Sequence, residues 1–149
     1  DPLLAESVSP EGIARIRASY ENRTPEAAAQ GAASFATMLR SLKKLSDAGA
    51  RLVLGADTGI QDHIQGYMEH HELELIVEAG ISPAEAIKIA TSAPAEVLGV
   101  DTGLLAAGKR ADFIVLDANP MYGIGNTRQI SAVYLDGTEL DREALRAAW

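Results

Sequence analysis

The chain of 149 residues has no cysteine, and it has only three histidines. Without cysteine it forms neither a disulfide framework nor a thiolate metal site. Any metal ion would therefore have to be bound by His, Asp or Glu side chains. All three histidines lie between residues 63 and 71, so the sequence offers few combinations of nitrogen ligands.

Basic residues are also scarce, with 13 Lys and Arg against 21 Asp and Glu and a formal net charge of −8. They are scattered along the chain apart from Lys43 and Lys44, a pair that is typical of the end of a helix. Nucleic acids and anionic membranes favour clustered Lys and Arg, so neither is expected as a partner.

Long apolar runs are missing as well. No stretch approaches the roughly 20 apolar residues of a membrane-spanning helix. The first twenty residues lack the basic start and apolar core of a signal peptide. Together with the lack of cysteine, this predicts a cytoplasmic protein. Because Asp1 and Pro2 open a stretch that is typical of the middle of a domain, we also expect the chain to be part of a longer protein.

The chain does contain 47% apolar residues, enough for a core of Ala, Leu, Ile and Val. Thr24, Pro25 and Glu26 are typical of a helix start, and this helix should run to about Ala48. Its apolar residues recur at three- and four-residue intervals, which predicts one stripe that faces a core. The stripe consists of Ala28, Ala32, Phe35, Leu39, Leu42 and Leu45.

Helix signals occur at four further places, and strand signals dominate after Gly99. The further helices are predicted over residues 10–20, 67–79, 83–90 and 92–99. Strands are predicted over residues 112–117, 130–135 and 138–140, with a closing helix over 141–149. Asp136 and Gly137 predict a tight hairpin turn between the last two strands.

The apolar run of residues 52–56 is too short for a helix and predicts a central parallel strand. It ends on Asp57, which lies between two glycines. A carboxylate at the end of a buried strand is placed where parallel α/β enzymes carry their catalytic groups. The plainer interpretation is that Asp57 only caps the following loop.

Four stretches, in their order and spacing, resemble the amidohydrolase superfamily of metal-dependent hydrolases, in particular its imidazolonepropionase-like and dipeptidase-like members. The first two are Gly55-Ala56-Asp57-Thr58-Gly59 and the stretch 72–87, which contains Ala79-Gly80-Ile81-Ser82-Pro83. The others are Ala90-Thr91-Ser92-Ala93-Pro94-Ala95 and the stretch 103–117, which contains Gly108-Lys109-Arg110-Ala111-Asp112. The resemblance covers nearly the whole chain.

The resemblance implies an α/β fold that is the C-terminal portion of a (β/α)8 TIM barrel plus the C-terminal part of a small β-sandwich. Residues 1–99 would then supply the last barrel strand, over residues 51–56, and the helices around it. Residues 100–149 would supply the returning strands of the sandwich and the closing helix.

The resemblance also implies hydrolysis of an amide, peptide or cyclic amide C–N bond. Asp57 would bind a divalent metal ion, zinc in the first instance, and act as the general base toward the attacking water. The family's other metal ligands, a His-x-His pair, a lysine and two further histidines on earlier strands, have no counterpart here. The chain would hold about one of the roughly three protein ligands that a catalytic metal needs.

Three residues near Asp57 are candidates for substrate binding. His63 lies in the following loop, and Tyr67 and His70 lie at the start of the next predicted helix. His70 and His71 are adjacent, so they point about 100° apart on a helix and cannot bind one metal ion from the same face. Glu72 is a weaker candidate, for contact with a substrate amine.

The enzymatic hypothesis thus requires a small amide or peptide-like substrate. The competing hypothesis is a non-catalytic module or pseudo-enzyme that docks onto a partner chain. That partner would be the rest of the chain's own barrel or another copy, because one parallel strand and a few helices cannot close a barrel. An upstream strand carrying the His-x-His pair would favour the enzyme.

Overall fold

The computed structural model describes residues 8–59 and 63–148. The helices are α1 (Pro10–Glu21), α2 (Pro25–Asp47), α3 (Tyr67–Glu78), α4 (Pro83–Ala90), α5 (Ser92–Leu98) and α6 (Arg142–Ala147). The strands are β1 (Phe113–Leu116), β2 (Ile130–Leu135) and β3 (Thr138–Glu139), with a 3-10 helix at Ile124–Arg128. The six predicted helices and the strands after Gly99 are confirmed to within a few residues. Trp149, the predicted end of the last helix, lies outside the described residues.

Local capping explains where the helices begin. Thr24 accepts a hydrogen bond at 3.2 Å from the backbone N–H of Ala27, and Ser82 accepts one at 3.3 Å from that of Glu85. A proline occupies the first turn of each helix, where its missing N–H costs nothing. Both predicted helix starts are therefore confirmed.

Two compact units divide the chain, one formed by residues 1–50 and 55–81 and the other by residues 51–54 and 82–149. In the described part of the first unit, α2 contacts α3. The buried apolar side chains of this unit are Leu73, Ile76 and Ile81. They come from α3 and the turn that follows it, so α3 forms the centre of this unit's core.

The apolar stripe of α2 does not face a core in this chain. No residue of this 23-residue helix is buried, and Phe35 and Leu45 are 38% and 52% exposed. The prediction that the stripe is covered is therefore wrong for the isolated chain. The reason is length: α3 has 12 residues and spans about 18 Å, against about 34 Å for α2.

The predicted strand over residues 52–56 is likewise not formed. Within the described residues, this segment has no regular secondary structure, although its side chains alternate between exposed and half-buried as in a strand. No strand pairs with it, however, and the backbone N–H of Leu54 instead donates at 3.0 Å to the carbonyl oxygen of Ile89. A central parallel strand needs a neighbour on each side, and the described chain does not supply them.

The second unit contains a three-stranded antiparallel sheet in the order β1-β2-β3. Phe113 pairs with Tyr134, and their rings stack with centroids 4.5 Å apart. The predicted hairpin turn is confirmed, because Asp136 and Gly137 have φ angles of 51° and 75°. A sandwich needs a second sheet, so the β-sandwich stays a prediction, as does the division of domains at residue 99. Among the described residues, no helix is long and apolar enough to cross a membrane.

Candidate functional site

Asp57 is exposed and has a left-handed backbone, with φ of 50°. Such a conformation is uncommon outside glycine, although aspartate adopts it more readily than most residues. It lies at the end of the apolar segment of residues 52–56. The backbone around Asp57 must therefore be held in place by its neighbours.

His63 is one of those neighbours. Its Nδ1 lies 3.1 Å from the carbonyl oxygen of Asp57 and donates to it in the matching tautomer. The carbonyl oxygen of His63 in turn accepts from the backbone N–H of Gly59 at 3.0 Å. The structure thus brings His63 next to Asp57, but through the main chain.

Glu69 joins the loop to helix α3. One carboxylate oxygen accepts from the hydroxyl of Thr58 at 3.0 Å, and the other accepts from the backbone N–H of Gly66 at 2.7 Å. Sequence reasoning missed this residue. The signal was available, because a glutamate three residues after the residue that precedes a helix is typical of a capping box.

Glu72 lies one turn further along α3. Its Oε1 accepts from the backbone N–H of Gly55 at 3.3 Å. Its Oε2 is buried, and within the described chain it has no hydrogen-bond partner. The structure therefore assigns Glu72 a contact with the main chain two residues before Asp57; the expected contact with a substrate amine stays a prediction.

The remaining candidates lie in the first turn or two of α3. Tyr67 and His70 are both half-buried. The ring of Tyr67 stacks on that of His71, with centroids 5.9 Å apart. His71 also lies 3.4 Å from a carboxylate oxygen of Glu74 on the same helix. The role of Tyr67 and His70 in substrate binding therefore stays a prediction.

The described residues do not fit a metal ion on their own. Among them there is no group of three His, Asp or Glu side chains that converges as metal ligands. A catalytic metal in proteins usually has three protein ligands. Asp57 offers one carboxylate, so a complete site would need ligands from outside this described part.

Comparison with known sequences identifies the family. A model of the amidohydrolase family matches residues 3–140. An adenine deaminase from Methanothermobacter thermautotrophicus is 34% identical over 98 residues, which make up 66% of this chain and 17% of that protein.

Two solved structures are similar to the chain. Phenylurea hydrolase B is 32% identical with a TM-score of 0.64, over 69% of this chain and 26% of that one. A Xaa-Pro dipeptidase is 29% identical with a TM-score of 0.62, over 68% of this chain and 25% of that one. The chain thus spans about a quarter of these structures and less of the adenine deaminase. The mixed α/β composition agrees with this TIM-barrel family, and the chain belongs to the amidohydrolase family.

Proposed function

We propose that the chain is the C-terminal part of a longer hydrolase that cleaves a C–N bond in a small amide, peptide-like or cyclic amide substrate. The observation that carries this proposal is the position of Asp57, which is exposed at the end of the apolar segment, between Gly55 and Thr58, the two residues that donate hydrogen bonds to Glu72 and Glu69 of α3. The names of the relatives support the reaction class. Deamination of adenine, hydrolysis of a phenylurea and cleavage of a Xaa-Pro dipeptide each break a C–N bond.

Asp57 would carry out the proton transfers of this reaction. Its carboxylate would accept a proton from the attacking water as the water oxygen bonds to the carbon of the C–N bond. It would then deliver that proton to the leaving nitrogen, so that one water is added across the bond. A divalent metal, zinc in our proposal, would lower the pKa of the water toward neutrality. Asp57 would supply one of its ligands, and the others would come from the rest of the longer protein.

Substrate binding is proposed for three residues near Asp57. The contact of His63 with the main-chain carbonyl oxygen of Asp57 supports its inclusion. Tyr67 and His70 follow in the first turn of α3. Residues 60–62 lie outside the described residues.

The replacement of Asp57 by asparagine tests the proposal in the full-length protein that contains this chain. D57N keeps the size of the side chain and its tolerance of a positive φ, but it removes the base. We expect kcat/KM toward the best substrate of a panel of dipeptides, N-acyl amino acids, cyclic amides and adenine to fall by about 10²-fold or more. Metal content, measured by inductively coupled plasma mass spectrometry, should fall in the same variant.

Asp117→Asn is the matched control, because it makes the same chemical change at an exposed residue of the other unit. It should leave turnover and metal content unchanged. Unchanged turnover in D57N would remove Asp57 from the mechanism. A metal-free full-length protein with no activity on the panel would instead favour the non-catalytic module.

A further inference from the structure

We propose that Glu72 and Glu69 are positioning residues that hold Asp57 in its left-handed conformation; this inference rests on the proposed function of Asp57. Glu72 accepts from the backbone N–H of Gly55, two residues before Asp57. Glu69 accepts from the hydroxyl of Thr58, one residue after it. The segment that carries Asp57 is therefore hydrogen-bonded to one helix on both sides.

Helix geometry explains why two carboxylates can do this together. Residues 69 and 72 are three apart, so they lie on the same face of α3. Each accepts through a side-chain carboxyl oxygen, Glu69 from Thr58 and Gly66 and Glu72 from Gly55. A rigid helix thus presents two acceptors to a segment whose backbone is strained at Asp57.

The second oxygen of Glu72 shows that stability alone does not account for a glutamate at this position. Oε2 is buried, and the described residues give it no hydrogen-bond donor. Burying a carboxylate oxygen without a partner is unfavourable, and an apolar side chain of similar size would avoid it. What an apolar side chain cannot do is accept from the N–H of Gly55.

Glu69 and Glu72 would affect catalysis by fixing the orientation of Asp57. Glu69 uses both oxygens on the loop, and Glu72 uses Oε1 on the main chain. Neither contact involves the reacting carboxylate, whose direction is set by the backbone of Asp57. A small displacement of a catalytic group lowers the rate of the chemical step more than it weakens binding.

Two variants of Glu72 test the proposal in the full-length protein. E72A removes the acceptor, and kcat should fall by about 10- to 100-fold while KM changes less than about threefold. E72Q should restore kcat to within about threefold, because its amide oxygen still accepts from Gly55. Glu78→Ala is the matched control, since Glu78 is an exposed residue on the same helix. It should leave kcat unchanged.

A second measurement on the 149-residue chain does not depend on activity. In E72A, the amide hydrogen of Gly55 should exchange with solvent at least about tenfold faster, and the backbone chemical shifts of Asp57 should lose their left-handed signature. E72Q should keep both close to the unchanged chain. T58V, which removes the donor to Glu69 with little change in shape, should shift Asp57 in the same direction as E72A.

The two measurements separate this inference from the proposed function. An unchanged Gly55 amide and unchanged Asp57 shifts in both E72A and T58V would overturn the positioning role, whatever the activity. A kcat that stays constant in E72A, or that falls equally in E72A and E72Q, would also overturn it. If D57N is fully active, the proposed function fails, and the positioning of Asp57 loses its catalytic meaning even where the exchange results hold.

Discussion

At the scale of single residues, Gly103 occupies the most restrictive position among the described glycines. Its φ is 76°, and a Cβ atom there would lie 2.4 Å from the carbonyl oxygen of Thr91 and 2.9 Å from the Cβ of Ala95. The sequence indicates a turn at this place through Asp101, Thr102 and Gly103. It does not reveal that the turn lies directly against the backbone between α4 and α5.

Gly103→Ala should therefore destabilise the chain through both strain and overlap. A left-handed backbone costs about 1–2 kcal/mol outside glycine, and overpacking adds about 1–3 kcal/mol. We expect a loss of about 3 kcal/mol in the free energy of unfolding, measured by urea denaturation followed by circular dichroism.

Gly108 provides the matched control, because its φ is 83° and nothing lies within 4 Å of the position that a Cβ atom would take there. Gly108→Ala should lose only the backbone contribution of about 1–2 kcal/mol. Equal losses in the two variants would show that contact with Thr91 and Ala95 does not restrict Gly103.

At the scale of elements, the sequence predicts what local chemistry determines. The helix starts at Thr24 and Ser82 and the turn at Asp136 follow from side chains that act within three residues. The strand over residues 52–56 depends on neighbouring strands, so its apolar pattern alone does not form it. The apolar stripe of α2 depends on a partner in the same way.

The candidate site also has one part that local sequence predicts and another that depends on packing. Asp57 is predictable, because a carboxylate at the end of an apolar run is a local signal. Its hydrogen-bonded neighbours are not: Glu69 and Glu72 reach residues 11 and 17 positions away in the sequence. Contacts of that separation come from packing, which residue spacing does not encode.

One carboxylate, that of Asp112 just before β1, adds to the pairing between β1 and the β2–β3 hairpin. Asp112 accepts from the backbone N–H of Asp136 at 2.8 Å, and its other oxygen accepts from Thr102 and Arg110. The N–H of Asp136 is the main reason that the pKa of Asp112 lies below its ordinary value of 3.8, and Thr102 and Arg110 lower it further against partial burial.

The lowered pKa makes this link sensitive to acid. The folded chain binds the proton less tightly than the unfolded chain, so Asp112 stabilises the fold fully above its unfolded pKa. That contribution disappears as the pH falls through the lower, folded-state pKa. When the pH is lowered from about 7 to about 2, the free energy of unfolding should therefore fall less in D112N than in the unchanged chain. Urea denaturation at each pH measures this difference. Asp117→Asn removes the same charge just beyond the other end of β1, and an equal effect there would contradict the assignment to Asp112.

At the scale of the whole molecule, the exposed stripe of α2 offers a test of the proposal that the chain is part of a longer protein. A helix without fully buried side chains gains little from packing, and its own backbone bonds are marginal in water. In the 149-residue chain, the amides of α2 should therefore exchange with solvent faster than those of β2, which is paired on both sides. Hydrogen exchange followed by mass spectrometry measures this difference.

In the full-length protein, α2 alone should gain protection, so that its amides no longer exchange faster than those of β2. If the rest of the barrel covers Phe35 and Leu45, exchange in α2 should slow by at least about tenfold on going from the 149-residue chain to the full-length protein. Met38→Glu should cancel much of that protection by placing a charge in the covered face, because Met38 is 66% exposed in this chain and lies three residues after Phe35 and four before Leu42, on the same side of α2. Ala33→Glu adds the same charge at an exposed residue on the opposite side of α2 and should not, provided the covered face is the apolar stripe. Equal exchange rates of α2 in the two proteins would show that the rest of the barrel does not cover the stripe.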